Sequence, residues 1–298
     1  MRLAGLLAPV TSPFDAAGEA APTALARNVA AHIAAGVDGI VVAGSTGEAP
    51  LLDEAERLAF IDAARAVVPR DRLLLAGVGA ESTRATVRLA RAAAERGADG
   101  VLVVAPHYYG SAMMTAEALL GHYRRVADES PVPVVLYNIP KYMHFNLAPT
   151  LVSELAAHGN VVGIKDSSGS EELLSSLLNL QTERFSVLTG NAQMLRTALD
   201  AGARGGVLAV SLFAAPVTLA VFAAAAKGDA AEAEATQAAL TPLASTIVAE
   251  LGVPGIKCAL DLVGLAGGSP RSPLQRLGAS ARTRVAELLR TAGLALAA

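Results

Sequence analysis

Residues 132–165 read VPVVLYNIPKYMHFNLAPTLVSELAAHGNVVGIK, and this stretch contains the pattern that decides the fold. It begins with the apolar run Val132–Tyr137 and ends with the apolar run Val161–Lys165, with a helical stretch between them. Neither run alternates apolar with polar residues, which is typical of strands buried on both faces of a parallel sheet. The stretch therefore predicts a strand–helix–strand unit.

The same unit repeats along the chain, and strand–helix alternation implies parallel pairing. Eight such units, rather than five or six, favour a closed (β/α)8 TIM barrel over an open doubly wound sheet. We therefore expect residues 1–226 to form the catalytic barrel. The predicted strands are Leu6–Val10, Gly39–Gly44, Leu73–Val78, Val101–Ala105, Val132–Tyr137, Val161–Lys165, Ser186–Thr189 and Gly206–Val210, and the clearest helical segments are Asp53–Val68, Ser82–Arg96 and Thr115–Glu129.

The pattern changes from Lys227 onward, where no convincing strand separates the helical segments. These segments are Asp229–Leu251, Gly255–Gly264 and Ala279–Gly293. We expect residues 227–298 to form a helical extension packed on the barrel.

The composition argues against nucleic-acid and membrane partners. The formal net charge is −3, basic residues are scattered and tryptophan is absent, so neither a basic patch nor a stacking platform is visible. Cys258 is the only cysteine, which favours a reducing, cytoplasmic location. The uncharged stretch Gly205–Ala226 is long enough to cross a bilayer, but it fits better as a strand, a loop and a buried helix. The first ten residues do not predict a signal peptide, because Pro13 and Asp15 follow too soon.

Catalytic groups of such barrels lie at the carboxyl ends of the strands and in the loops that follow. Lys165 is the most informative of these groups, because it alone among the four lysines closes an apolar strand. One interpretation is a lysine that reaches solvent or pairs with Asp166. The other is a nucleophile that forms an imine with a ketone, which needs the neutral amine that burial favours.

Two other strand ends offer groups for the same chemistry. Ser45 and Thr46 supply hydroxyls and backbone N–H groups in a turn that we expect to open the next helix, where a carboxylate would be stabilised. An ordinary capped connection is the alternative. Tyr137 ends the preceding strand, where its phenol could relay a proton or pack as a structural tyrosine. The five histidines show no HxxH or HExxH spacing, so we expect no metal.

Taken together, these strand ends resemble the dihydrodipicolinate synthase/N-acetylneuraminate lyase family of Schiff-base class I aldolases. The similarity runs through nearly the whole chain: Leu7–Thr11, the turn Gly44–Glu48, Tyr137–Pro140, Gly163–Asp166, Leu188–Gly190 and Gly205–Val207. Within the family, a likeness to 4-hydroxy-2-oxoglutarate aldolases is found at Arg72–Gly77, Pro106–Tyr109, Gly252–Lys257 and Gly267–Leu274.

The resemblance implies catalytic roles. Lys165 would form the imine with pyruvate, and Tyr137 would be the proton-relay acid/base. Ser45 would connect Tyr137 to a second tyrosine, Tyr108 or Tyr109, contributed across a subunit contact. The resemblance implies no cofactor beyond the covalent lysine imine, and it implies a homotetramer built as a dimer of dimers.

The resemblance also implies substrate-binding roles. Thr46, with its own backbone N–H, would hold the pyruvate carboxylate, and Gly47 and Ser167 are further candidates. Gly190 and Leu208 would line the pocket, Leu208 through its backbone carbonyl.

One departure affects the second substrate. True dihydrodipicolinate synthases place an arginine after the Tyr-Asn-x-Pro motif, and this position is Tyr142 here, followed by Met143-His144 where the family usually has Thr-Gly. The sequence therefore favours cleavage of a 4-hydroxy-2-keto acid, such as 4-hydroxy-2-oxoglutarate, to pyruvate and an aldehyde. The alternatives are dihydrodipicolinate synthesis, a sugar-acid 2-keto-3-deoxy aldolase or dehydratase, and a non-catalytic barrel that binds a keto acid.

Overall fold

The computed structural model describes residues 1 and 3–297, and its central element is a closed barrel of eight parallel strands. The strands pair in chain order, β1 to β8, and β8 pairs with β1 to close the barrel. This confirms the predicted (β/α)8 TIM barrel. The strands are β1 Gly5–Pro9, β2 Gly39–Val42, β3 Leu73–Gly77, β4 Gly100–Val104, β5 Val134–Asn138, β6 Val161–Asp166, β7 Ser186–Thr189 and β8 Gly205–Val207.

The strands are buried on both faces, because helices surround them and side chains fill the barrel interior. The predicted bounds agree to within about two residues except at the end of β8. The prediction extended that strand to Val210, but it ends at Val207, because Ser211 already begins the next helix. The main-chain N–H of Ser211 donates to the Leu208 carbonyl, which makes a turn there.

Thirteen α-helices occur in the part of the chain that the structure describes. Several begin where the sequence provides a capping side chain: Asp53 forms a reciprocal capping box with Glu56, and Ser82 and Thr115 each accept a backbone N–H. The helices up to the eighth strand are α1 Pro22–Ala34, α2 Glu54–Arg65, α3 Thr83–Glu95, α4 Gly110–Met113, α5 Ala116–Glu129, α6 Pro140–Met143, α7 Pro149–Ala156, α8 Glu171–Leu178 and α9 Leu195–Asp200.

The chain after β8 is helical, as expected from residue 227 onward. The helices are α10 Ser211–Lys227, α11 Ala230–Pro242, α12 Gly252–Leu262 and α13 Ala279–Thr291. The segment predicted as one helix, Asp229–Leu251, is instead α11 followed by a π-helical stretch, Leu243–Glu250. Pro242 lies at the change, where its missing N–H removes one helical hydrogen bond.

The uncharged stretch Gly205–Ala226 forms β8, a short turn and most of α10, as the sequence indicated. Ala214 has non-helical dihedral angles two residues before Pro216, so α10 is kinked there. None of the helices within residues 1 and 3–297 has the length and apolar character that crossing a membrane requires.

Carboxylates fasten the amino-terminal end of the barrel, opposite the predicted catalytic end. Asp38 accepts the N–H of Leu6 at 2.9 Å, and Asp99 accepts the N–H of Leu74 at 2.8 Å. Arg65 of α2 pairs with Asp99 at 3.2 Å. These contacts stabilise the end of the barrel that carries no predicted site residue.

Candidate active site

Lys165 and Tyr137 lie side by side at the carboxyl end of the barrel. They occupy paired positions in the register of β5 and β6. Lys165 is only 6% exposed, and its Nζ lies 4.0 Å from the centroid of the Tyr137 ring. The structure therefore brings the predicted nucleophile and the predicted acid/base into direct contact.

The carboxylate next to Lys165 in sequence is occupied elsewhere. Asp166 accepts from Asn138 Nδ2 and from Ser168 Oγ, each at 2.7 Å. Burial raises the pKa of the Asp166 carboxyl, and these two donors act in the opposite direction. Within residues 1 and 3–297 no carboxylate lies within ion-pair distance of Lys165, so the alternative in which Lys165 pairs with Asp166 does not apply to this structure.

Asn138 is a supporting residue that the sequence interpretation did not single out. Besides Asp166, its side chain contacts Asn146 Oδ1 at 3.0 Å and accepts the N–H of Leu147 at 2.9 Å. Its carbonyl accepts the N–H of Ser167 at 2.8 Å. The signal was its place directly after Tyr137, and its effect is to fix the loop after β6 against the end of β5.

A cavity of about 180 Å³ contains the Lys165 side chain. Ser45, Thr46, Tyr137 and Ser167 line it with hydroxyl groups. A small cavity in which hydroxyl groups surround the Lys165 amine suits a small oxygenated substrate.

Gly190 also lines this cavity, as predicted, and the structure shows why a glycine is needed there. A Cβ at residue 190 would lie 1.9 Å from Ser167 Oγ and 2.8 Å from Lys165 Cε. Any larger residue would therefore occupy the space that the Lys165 side chain now fills.

The Ser45–Thr46 turn differs from the expectation in one respect. It does not open an α-helix: a short 3-10 turn, Ala49–Leu51, follows it, and α2 begins only at Glu54 behind its own cap. The helix dipole that we expected at this turn is therefore not available to a carboxylate there. The hydroxyl and N–H groups remain as the donors.

Unusual backbone geometry shapes this turn. Ala43 and Glu48, on either side of it, both have left-handed φ values, 53° and 55°. The guanidinium of Arg57 reaches the turn from α2 and donates to the carbonyls of Ala43, Gly77 and Ala49 at 3.3, 2.6 and 3.0 Å. Burial lowers the pKa of Arg57. This arginine supports the strained turn from behind.

Two predicted binding residues do not line the cavity. Gly47 is buried behind the turn, where its carbonyl accepts from Ser12 Oγ at 2.6 Å. Leu208 is fully buried, and its carbonyl accepts from Ser211 Oγ at 2.7 Å. A contact between this carbonyl and a substrate stays a prediction. The neighbouring residues Val207 and Ala209 line the cavity instead.

Tyr108 and Tyr109 lie away from the Lys165 cavity of their own chain. They are 79% and 69% exposed, and their rings contact each other with centroids 5.3 Å apart. Glu81 holds this loop by accepting the N–H groups of His107 and Tyr108, each at 2.9 Å. A role for either tyrosine beside Ser45 across a subunit contact stays a prediction.

The outer wall of the cavity includes residues that the sequence could not assign to it. Tyr142 lies near Tyr137, and burial, together with the phenol of Tyr137, raises the pKa of Tyr142. Lys141 donates to the carbonyl of Ala249 at 2.9 Å. The extension contributes an apolar part of the wall, with Ala244, Val248, Val253 and Ile256. Within residues 1 and 3–297 no cluster of three or more His, Cys, Asp or Glu side chains could hold a metal ion.

Comparison with known proteins identifies a family over nearly the full length. Residues 2–292 match the Dihydrodipicolinate synthetase family. The 4-hydroxy-tetrahydrodipicolinate synthase of Syntrophus aciditrophicus is 35% identical over 295 residues, which cover 97% of this chain and 98% of the relative. The enzyme of the same name from a Synechococcus species is 37% identical over 267 residues, with coverages of 89% and 87%.

A solved structure agrees with these matches. The prophage protein YagE of Escherichia coli K12, described as a member of the dihydrodipicolinic acid synthase family in complex with pyruvate, superimposes with a TM-score of 0.92. It is 30% identical, and the match covers 98% of this chain and 99% of that one.

Proposed function

The chain belongs to the dihydrodipicolinate synthetase family of Schiff-base lyases, and from this premise we propose that Lys165 forms the imine with pyruvate. The observation that carries the proposal is the buried Lys165 amine, which contacts the Tyr137 ring inside a small hydroxyl-lined cavity. A lysine amine is the group that attacks a ketone carbonyl to form an imine.

The imine forms by addition and loss of water. The Lys165 amine attacks C2 of pyruvate, the carbinolamine loses its hydroxyl as water, and removal of a proton from C3 leaves an enamine. The enamine carbon then attacks the carbonyl of an aldehyde, or the reverse step releases that aldehyde. Tyr137 would carry the protons, and the contact of its ring with the Lys165 amine supports this role.

The pyruvate carboxylate would lie against the turn of Ser45 and Thr46. Both residues line the same cavity as Lys165, and their hydroxyls, with the N–H of Thr46, are hydrogen-bond donors that suit a carboxylate. Ser167, on the opposite side near Gly190, supplies another hydroxyl.

Condensation of pyruvate with aspartate semialdehyde is the net reaction that the comparisons favour. The two relatives described above are both named 4-hydroxy-tetrahydrodipicolinate synthase. Dihydrodipicolinate synthesis is among the alternatives that the sequence leaves open, and the names of the relatives support it better than the cleavage of 4-hydroxy-2-oxoglutarate.

Tyr142 favours that cleavage as a second candidate. It occupies the position where the synthases place an arginine, and no arginine lines the Lys165 cavity within residues 1 and 3–297. Lys141 lies on the same wall, but its amine is engaged by the Ala249 carbonyl. An ammonium group binds a carboxylate as a point charge rather than through the paired contacts of a guanidinium.

One experiment tests the imine and a second separates the two reactions. Borohydride reduction with pyruvate should add one reduced pyruvate to the peptide containing Lys165, and Lys165→Ala should abolish this label. Label on another lysine, or none at all, would remove the proposal. The kcat/KM for condensation with aspartate semialdehyde, compared with that for cleavage of 4-hydroxy-2-oxoglutarate in one preparation, decides between the net reactions.

The proposal includes a homotetramer that works in the cytoplasm. The exposed ring pair of Tyr108 and Tyr109 supports an assembly, because large exposed aromatics commonly mark a contact surface. Sedimentation equilibrium of the wild type tests the stoichiometry. Loss of turnover in Tyr108→Phe or Tyr109→Phe, with the assembly intact, would show which tyrosine reaches a neighbouring site.

A further inference from the structure

A buried ion pair lies directly behind the turn that faces the substrate cavity. Glu48 Oε1 and Lys257 Nζ are 2.5 Å apart, and their side chains are 0% and 1% exposed. Glu48 is the last residue of the turn, and Lys257 belongs to α12 of the helical extension. Neither residue lies among the hydroxyls that surround Lys165.

The pair connects three separate segments of the chain. Lys257 Nζ also donates to the carbonyls of Ser12 and Ser269, at 2.8 and 2.9 Å. Glu48 Oε2 accepts the main-chain N–H of Arg271 at 2.7 Å. The lysine thus joins the loop after β1, the turn after β2 and the loop between α12 and α13.

These contacts reach both residues that follow Thr46. Ser12, whose carbonyl binds Lys257, donates its hydroxyl to the carbonyl of Gly47 at 2.6 Å. Glu48 is held through its own carboxylate while its backbone has the left-handed φ of 55°. The backbone of the turn is therefore fixed immediately after the residue that would present its N–H to the pyruvate carboxylate.

Stability alone does not account for such a pair. Burying two charges carries a large desolvation cost, and apolar residues of similar volume often serve a core as well. An apolar pair would supply neither the charge attraction between Lys257 and the carboxylate of the turn nor the hydrogen bonds from Lys257 to Ser12 and Ser269. Phe14 packs against the pair, with its ring centroid 4.5 Å from Lys257 Nζ. Because both charged side chains are buried, water cannot take the place of these contacts.

We propose that Glu48 and Lys257 are positioning residues that set the Ser45–Thr46 turn for binding the pyruvate carboxylate. The inference rests on the proposed function, because it presumes that pyruvate binds at this turn. The helical extension then takes part in binding: Lys257 of α12 holds the turn in place, although Lys257 itself does not touch the substrate.

The variants Lys257→Met and Glu48→Gln/Lys257→Met test the proposal. The single change leaves Glu48 buried without its cation, so it should lower Tm strongly. The double change removes both charges and should recover part of that loss. Because it still lacks the bonds from Lys257, its half-saturating pyruvate concentration should be raised by about tenfold, the typical effect of one lost charge-assisted hydrogen bond.

The measurement is imine trapping rather than turnover alone. Intact mass after borohydride reduction, over a series of pyruvate concentrations and well below Tm, gives the half-saturating concentration for each variant. KM for pyruvate should rise in parallel, while kcat stays near that of the wild type because Lys165 and Tyr137 are unchanged. A purely structural pair would lower Tm and leave the half-saturating concentration unchanged in the folded protein.

Arg65→Met is the matched control. It breaks an ion pair with Asp99 at the opposite end of the barrel, where no predicted site residue lies. It should lower Tm and leave pyruvate half-saturation at the wild-type value.

The outcomes separate this inference from the function on which it rests. If borohydride labels the wild type at Lys165 and the double variant is half-saturated at the same pyruvate concentration, only the positioning role of Glu48 and Lys257 is overturned. Wild-type enzyme that is not labelled at Lys165 overturns the proposed function and this inference with it.

Discussion

Replacing Gly190 by alanine should slow imine formation by displacing Lys165, the proposed nucleophile. The added Cβ would lie 1.9 Å from Ser167 Oγ and 2.8 Å from Lys165 Cε. Ordinary contacts between heavy atoms are about 3.5 Å, so the lysine carbon must move by roughly 0.7 Å and the serine oxygen by roughly 1.6 Å. Ser167 can rotate about one bond, whereas the Lys165 side chain is buried among its neighbours.

The size of the effect follows from the precision that covalent attack requires. A displacement of about 1 Å at the reacting group typically costs about 100-fold in rate. We therefore expect kcat/KM for pyruvate to fall by between about tenfold and 100-fold, which corresponds to roughly 1.4 to 2.7 kcal/mol. The fold should persist, because Gly190 lies at the cavity and not in the packed core.

The assay combines borohydride trapping at Lys165 with steady-state kinetics, and the chain offers a matched control. Gly121 lies in α5, and a Cβ there would meet nothing within 4 Å. Gly121→Ala should leave trapping and turnover unchanged and stabilise the helix by about 1 kcal/mol. The double variant Gly190→Ala/Ser167→Ala removes the shorter of the two clashes and should recover part of the activity.

Wild-type trapping and turnover in Gly190→Ala would refute this reasoning. Such a result would mean that the residues around position 190 accommodate the added Cβ without displacing the Lys165 amine. Loss of activity together with a collapse in Tm would instead identify Gly190 as a residue needed for folding.

Three further predictions follow from the site and from the buried histidines. Tyr137→Phe should retain pyruvate trapping but lower kcat by about 100-fold or more, and an unchanged kcat would reduce Tyr137 to a packing residue. Tyr142→Arg should raise kcat/KM for aspartate semialdehyde by at least about tenfold, and no gain would show that the carboxylate binds elsewhere. Burial lowers the pKa values of His32 and His122 from 6.5 to about 4, so the folded protein binds fewer protons than the unfolded chain between those values. The contribution of each neutral histidine to the free energy of unfolding should be fully present above pH 6.5 and should be lost as the pH falls towards 4, by up to about 3 kcal/mol for each histidine. His122→Gln should therefore flatten the profile of Tm against pH.

The sequence by itself determined the barrel and singled out Lys165 as the candidate nucleophile. Unbroken apolar runs such as Val132–Tyr137 and Val161–Lys165 can be buried only as interior strands, and their helical spacers enforce parallel order. Lys165 could be selected because it alone among the lysines closes such a run, and the carboxyl ends of barrel strands meet at one face. Both inferences depend on local pattern, which a single sequence contains.

Only the tertiary structure decided which groups touch Lys165. The register of β5 and β6 aligns it with Tyr137, and the approach of the loop after β7 leaves room only for a glycine at residue 190. The hydrogen bond from Ser211 Oγ to the Leu208 carbonyl is likewise set by the turn after β8. A shift of one residue in the register of a strand, or in the position of a turn, would change these contacts, and the periodicity of the sequence does not specify either to that precision.

The pairing of Glu48 with Lys257 shows the same limit over a longer distance. The two residues belong to segments far apart in sequence, and nothing in either segment indicates that their side chains meet. They meet because barrel closure and the packing of α12 bring the turn and the extension together in a space from which water is excluded. Local sequence pattern determined which elements form, whereas their packing determined which charges are buried against each other and what they hold in place.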